Sequence, residues 1–222
     1  MGENITLKAS DGFELGAWRV APGGAPRGGV VVIQEIMGVN HHIRAVADLY
    51  AAQGYLAIAP ALFDRVEPGF EVGYDQPSIQ RGMAIAGKLD RDKITLDVAA
   101  AIEAVKSAGK VGIVGYCLGG TVAYLAASRL SGLAAASCYY GGGVLAAKDE
   151  SPRIPTILHF GAKDAHIPVA GVKEFAAAHP DLPVYIYDAD HGFNCDERGS
   201  YDAPSAALAR QRTFDFFKEK IG

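Results

Sequence analysis

The 222-residue sequence predicts an α/β fold, with a mostly parallel central sheet and helices on both faces. Three observations carry this expectation. Short β-branched runs alternate with longer helix-period stretches nearly throughout, the pattern of strands joined by helical crossovers. The run Val30-Val31-Val32-Ile33 is apolar at every position, as in a strand buried on both faces. Residues 111–127 pass from an apolar strand through Gly115-Tyr116-Cys117-Leu118-Gly119-Gly120 straight into an Ala-rich helix.

The elements follow in order. Residues 4–20 read as two strands around Asp11-Gly12, a hairpin dipeptide. A Gly/Pro loop over 21–29 leads to a strand over 29–34, a strand-end loop from Gln34 to Asn40, and a helix over 42–53 that Gly54 stops. A strand covers 55–59. Residues 60–77 form a long loop with mixed charge, and loops of that length inside a domain are usually functional or mobile. Helices cover 78–87 and 91–107. A strand over 110–115 and a helix over 118–129 flank Cys117, followed by a strand over 133–140 closed by Gly141-Gly142-Gly143. Next come a strand over 156–160, a loop over 164–168 and a helix over 169–178. A strand over 183–187, a loop over 190–200 and an amphipathic helix over 203–220 complete the chain. No linker, repeat or low-complexity tract interrupts it, so residues 1–222 are expected to form one domain.

Composition limits the function. Half the residues are apolar, ample for a core, and the net charge of −4 is interspersed, which argues against nucleic acid or an anionic membrane as partner. Three cysteines without framework spacing argue against a disulfide-stapled secreted protein. The N-terminus lacks the apolar core of a signal peptide, and no apolar run approaches the roughly 20 residues that span a bilayer. The expectation is a cytoplasmic protein.

Cys117 on a sharp strand-to-helix turn, with glycines at −2 and +2, matches the nucleophile elbow G-x-S-x-G of α/β-hydrolases with cysteine for serine. The small neighbours let strand and helix pass closely, and the helix N-terminus favours a thiolate. The Leu118 N–H is then a natural oxyanion donor, with the Ile36 N–H as the second. Ligands of open parallel sheets bind beyond the carboxyl ends of the strands, where Glu35, Cys117, Asp164 and His191 all fall. His191 is the expected base and Asp164 its orienting carboxylate, in the chain order nucleophile, acid, histidine. His166 is the rival base but follows Asp164 too closely; Asp188 and Asp190 are rival orienters too near His191. Glu35, at the end of an apolar strand, is expected to contact Cys117 and shift its thiol–thiolate balance. Cys138 reads as core, and Cys195, in the loop after His191, as incidental.

These residues resemble the dienelactone hydrolase family (carboxymethylenebutenolidases). The carriers are Gln34-Glu35-Ile36-Met37-Gly38-Val39-Asn40, Gly115-Tyr116-Cys117-Leu118-Gly119-Gly120, Tyr139-Tyr140-Gly141, the Asp164 loop with Pro168, and His191-Gly192-Phe193. The resemblance implies an α/β-hydrolase fold without a lid domain, a monomer, no cofactor or metal, and a Cys-His-Asp triad assisted by glutamate. It implies a small lactone or activated ester, sometimes acidic, opened through a cysteine acyl-enzyme. It also makes Arg81, Tyr139, Phe193 and Arg198 candidate substrate contacts. The family's lactonases hold a substrate carboxylate with two arginines, one of them four residues after the histidine; that position here is Cys195, with Arg198 further along. Two other readings stay open. One is a general carboxylesterase or thioesterase acting on neutral esters. The other is a non-catalytic thiol sensor, which would need only a low-pKa cysteine and no glutamate, aspartate and histidine.

Overall fold

The computed structural model describes residues 2–147 and 149–222. Among these residues eight strands form one sheet in the order β1-β2-β4-β3-β5-β6-β7-β8. The hairpin is β1 (Glu3–Lys8) and β2 (Glu14–Val20), paired antiparallel through Leu7 and Leu15, with Gly12 at φ +89° in its turn. The other strands, β3 (Gly29–Ile33), β4 (Leu56–Pro60), β5 (Val111–Tyr116), β6 (Leu133–Tyr139), β7 (Thr156–Gly161) and β8 (Val184–Tyr187), run parallel to one another. Strand β2 is the antiparallel one, reversed against both β1 and β4. Every residue of β3 and β5 is buried, as their uninterrupted apolar sequences require in the middle of a two-sided sheet.

Among the described residues six α-helices cover the sheet: α1 (His41–Ala52), α2 (Gln76–Ala86), α3 (Arg91–Val105), α4 (Leu118–Arg129), α5 (Val169–Ala178) and α6 (Ala203–Lys220). Their starts follow capping chemistry. The Asn40 Oδ1 accepts from the Ile43 N–H, the Asp75 Oδ1 from Ser78 and the Asp202 Oδ1 from Ser205. Helix α2 begins two residues before its sequence expectation, because Pro77 falls in the first turn, where a missing N–H costs nothing.

The long loop before α2 is ordered by long-range contacts. It makes a 3-10 turn over Leu62–Arg65 and then returns to bridge Glu71 with Gly38, beside the end of β3. A Cβ on Gly38 would stand 2.0 Å from the Phe70 carbonyl, so this approach requires glycine. Among the described residues no helix is long and apolar enough to cross a membrane.

Candidate active site

The sharp turn at the end of β5 puts Cys117 at φ +55°, ψ −114°, a sparsely populated region for a residue with a Cβ. The neighbours over-determine it. The Cys117 N–H donates to the Tyr139 carbonyl at 3.0 Å, and the Cys117 carbonyl accepts from Gly120 at 3.0 Å. A Cβ on Gly115 would lie 1.9 Å from the Gly119 carbonyl oxygen, and one on Gly119 would lie 2.4 Å from that of Ile33. Both glycines are therefore fixed by backbone approach, and the second brings the end of β3 against the first turn of α4. Leu118 is the first residue of α4, so its N–H has no acceptor within the helix. Neither it nor the Ile36 N–H has an acceptor among the described residues.

His191 follows β8 and reaches Cys117 across the sheet. Its Nε2 lies 3.1 Å from Cys117 Sγ, and its Nδ1 lies 2.7 Å from Asp164 Oδ2. The other oxygen of Asp164 accepts from the backbone N–H groups of His166 and Ile167, at 2.8 and 3.1 Å. The carboxylate is thus fixed by its own loop before it meets the imidazole. The loop of His191 is fixed as well: its N–H donates to Asp190 Oδ1 at 2.6 Å, and its carbonyl accepts from the Ser200 hydroxyl at 2.6 Å. His166 contributes a ring 5.5 Å from that of His191, and its backbone serves Asp164.

Burial of His191 works against its charged form, but the hydrogen bonds to Asp164 and Cys117 outweigh it and raise the imidazole from 6.5 to about 10. Burial likewise opposes ionisation of Asp164, yet the hydrogen bond from His191 and the two backbone N–H groups leave its carboxyl below the ordinary 3.8. The pair is therefore held charged on both sides.

Glu35 is wholly buried, and neither carboxylate oxygen has a hydrogen-bond partner among the described residues. Its nearest charge is Arg198, with Nη1 3.8 Å from Oε1. No hydrogen bond joins Glu35 to Cys117, whose partner is His191. The Arg198 guanidinium is mostly buried, 5.7 Å from the Tyr74 ring. Burial lowers its proton affinity, but the fields of Glu35, Cys117, Tyr140 and Cys195 together offset this and hold it above its ordinary value.

The other candidate contacts separate. Arg198 lines the cleft above Cys117. Arg81 does not: it is exposed on the far face of α2, paired with Glu67 at 2.7 Å and lying over the Phe70 ring. Tyr139 is fully buried, its hydroxyl 2.7 Å from Thr213 and its ring stacked on His159. Phe193 is equally buried, against Tyr140 and Tyr187. In this conformation neither ring reaches the cleft. Tyr140, unassigned in the sequence reading, is the tyrosine that packs edge-on against His191, with ring centres 5.2 Å apart. Tyr140 lies just past the end of β6 at φ +36°, where strand alternation no longer sets side-chain direction, so no local signal marked it.

A second grouping, His42, Cys195 and Asp196, brings its potential ligand atoms within 4.8 Å of one another. His42 Nδ1 is 3.1 Å from Asp196 Oδ1. Cys195 is fully buried, and that burial, with the field of Glu35, pushes its thiol up to about 12. Only Cys117, of the three cysteines, is partly exposed, and it opens into a cleft of about 760 Å³.

Comparison with known proteins finds relatives over nearly the whole chain. The dienelactone hydrolase family model matches residues 15–221. The carboxymethylenebutenolidase of Pseudomonas putida is 34% identical over 225 residues, covering 96% of this chain and 95% of the relative. A crystal structure from Klebsiella pneumoniae subsp. pneumoniae, described provisionally as a dienelactone hydrolase, superposes with a TM-score of 0.85 at 30% identity over 99% of both chains. A dienelactone hydrolase-like promiscuous phosphotriesterase from metagenomic libraries shares the fold, with a TM-score of 0.78 at 22% identity over 100% of this chain and 99% of that one. A cysteine at the end of β5, a histidine after β8 and a carboxylate after β7 thus stand on a chain matched over nearly its whole length, and the chain belongs to the dienelactone hydrolase family.

Proposed function

We propose that this protein hydrolyses small lactones and activated carboxylic esters through a cysteine acyl-enzyme. Cys117 is the nucleophile, His191 the general base and acid, and Asp164 the group that orients and charges the imidazole. The observation that carries the reading is the 3.1 Å contact of His191 Nε2 with a cleft-facing Cys117 Sγ, at a turn whose strain is fixed by backbone contacts.

His191 rests as imidazolium, with one ring N–H directed at Cys117 Sγ and the other at Asp164 Oδ2, and the attacking species is the Cys117 thiolate. The thiolate attacks the acyl carbon and forms a C–S bond, while the carbonyl oxygen takes the negative charge. The N–H groups of Ile36 and Leu118 receive that oxyanion. Collapse breaks the acyl C–O bond, and the departing alkoxide takes the proton from His191 Nε2; in a lactone it stays tethered as the new hydroxyl. Water then attacks the thioester, giving its proton to His191, and C–S cleavage releases the carboxylic acid and restores the pair.

Glu35 acts on this balance indirectly. A buried carboxylate without hydrogen bonds is costly, and Arg198 supplies the compensating charge from 3.8 Å. A substrate anion that draws Arg198 toward itself leaves the buried Glu35 carboxylate without that compensating charge beside the reacting sulfur. Arg198 is therefore the cleft's candidate partner for an acidic substrate, and Arg81 is outside that role as the side chain now stands.

A chromogenic aryl ester should give an acyl burst stoichiometric with protein. Cys117→Ala should abolish turnover, at least about a thousandfold given what removal of a nucleophile costs. Cys138→Ala, whose thiol is buried in the sheet, should keep it. Full activity in Cys117→Ala would remove the mechanism.

A further inference from the structure

The cleft is far larger than a five-membered lactone needs. At about 760 Å³ it lies in the size range that encloses a drug-sized molecule. Its shape follows from two helices. On α4 the residues Leu118, Val122 and Leu125 face it, a one-sided stripe that leads away from the nucleophile for about 10 Å at 1.5 Å per residue. On α2 the facing residues include Ile79, Met83 and Ala86, part of a stripe from Gln76 that runs about 15 Å on the same reckoning. Met83 is 61% exposed, a large apolar side chain presented to solvent on the cleft wall. Helix α2 is held against the Ile36 loop through Gly82, where a Cβ would stand 2.1 Å from the Ile36 carbonyl. The apolar stripe is therefore placed directly beside the proposed oxyanion site.

The groove also has an end. A depression of about 20 Å³ between α3 and α4 shares Arg91, Ile94, Val122 and Leu125 with the cleft and adds Thr95, Val98 and Ala126. The opposite wall is different: Gly142, Gly143 and His166 lie there with His191. The alcohol must leave beside His191 Nε2, which protonates it. The acyl side of the substrate is then directed away from His191, between α2 and α4.

We infer that this groove is an acyl-arm subsite, and that the preferred substrates carry an extended, unbranched hydrophobic acyl chain that ends between α3 and α4. The inference rests on the ester-hydrolase reading for the orientation of the arm, but the groove itself binds an alkyl chain whether or not turnover occurs.

Two measurements test it. Across p-nitrophenyl acetate, butyrate, hexanoate, octanoate and decanoate, kcat/KM should climb by about two- to fourfold per added methylene, the upper figure being the transfer of one CH₂ out of water. Ala86→Trp, which fills the groove, should flatten that climb. Separately, calorimetry on Cys117→Ala should show saturable binding of decanoate and none of acetate. A flat series with intact acetate turnover would overturn the acyl arm and leave the hydrolase standing. A climb unaltered in a folded Ala86→Trp protein would also overturn it. If no ester is turned over, the hydrolase fails, and the calorimetry alone decides the groove: decanoate no tighter than acetate would sink it.

Discussion

Gly192 sits beside His191 at φ +75°, and a Cβ there would lie 2.1 Å from Nη1 of Arg198 and 2.8 Å from its Cδ. The nearest atom is the far end of a flexible side chain, so Gly192→Ala should displace the guanidinium before it moves backbone. The left-handed conformation adds roughly 1–2 kcal/mol of destabilisation. The displaced Arg198 would lose its place 3.8 Å from Glu35, leaving that carboxylate buried without its compensating charge. The expected kinetic result is selective. The kcat/KM for a lactone bearing a carboxylate should fall by about tenfold or more, the scale of one lost charge-assisted contact, and that for a neutral aryl ester by much less. An equal fall for both substrates would mean that the substitution acts by moving His191, and that Arg198 does not read substrate charge.

At the scale of elements, the loop between β4 and α2 depends on one ion pair. Arg65, at the end of the 3-10 turn, donates to both oxygens of Asp97 on α3, each at 2.7 Å, and also reaches Asp11 in the first hairpin. Asp97 is fully buried, and burial raises its carboxyl above the ordinary value despite the arginine. Arg65→Met should therefore cost about 2–3 kcal/mol, somewhat under the range for a wholly buried pair because Arg65 keeps some contact with water. Adding Asp97→Leu should recover most of it, measured as urea unfolding midpoints; a double variant no better than the single would show that the pair is not the source. This loop was also the least legible part of the chain. The strands of the parallel sheet were readable because β-branched runs such as residues 30–33 need two-sided burial, and the hairpin because Asp11-Gly12 suits its turn. The order of residues 60–75 comes from Arg65 with Asp97 and Gly38 with Glu71, partners 32 and 33 positions apart, and no local pattern encodes that. The site divides the same way. Glycine spacing exposed Cys117, and loop position exposed His191 and Asp164. Which face of α2 carries Arg81, and which of Tyr139 and Tyr140 faces the histidine, depended on side-chain direction across packed elements.

For the molecule as a whole, the proposed catalytic groups hang on the carboxyl ends of β3, β5, β7 and β8, so they tie strands from the middle of the sheet to its edge. Global stability should then respond to their protonation. His191 is raised from 6.5 to about 10 in the folded protein, so its contribution is fully present below pH 6.5 and is lost as the pH climbs through about 10. Asp164 is depressed below 3.8, so its contribution is present above that pH and is lost as the pH falls through the lower folded value. Both act together between those limits, in mildly acidic solution. His191→Gln removes the imidazolium and the partner of Asp164 at once. The stability gap between wild type and this variant, from urea unfolding, should be widest near pH 5 and should shrink steadily above neutrality until it is nearly closed past pH 10. A gap that stays constant over that range, or widens toward alkali, would show an uncharged imidazole in the folded state, and with it the resting imidazolium beside Cys117 would have to be given up.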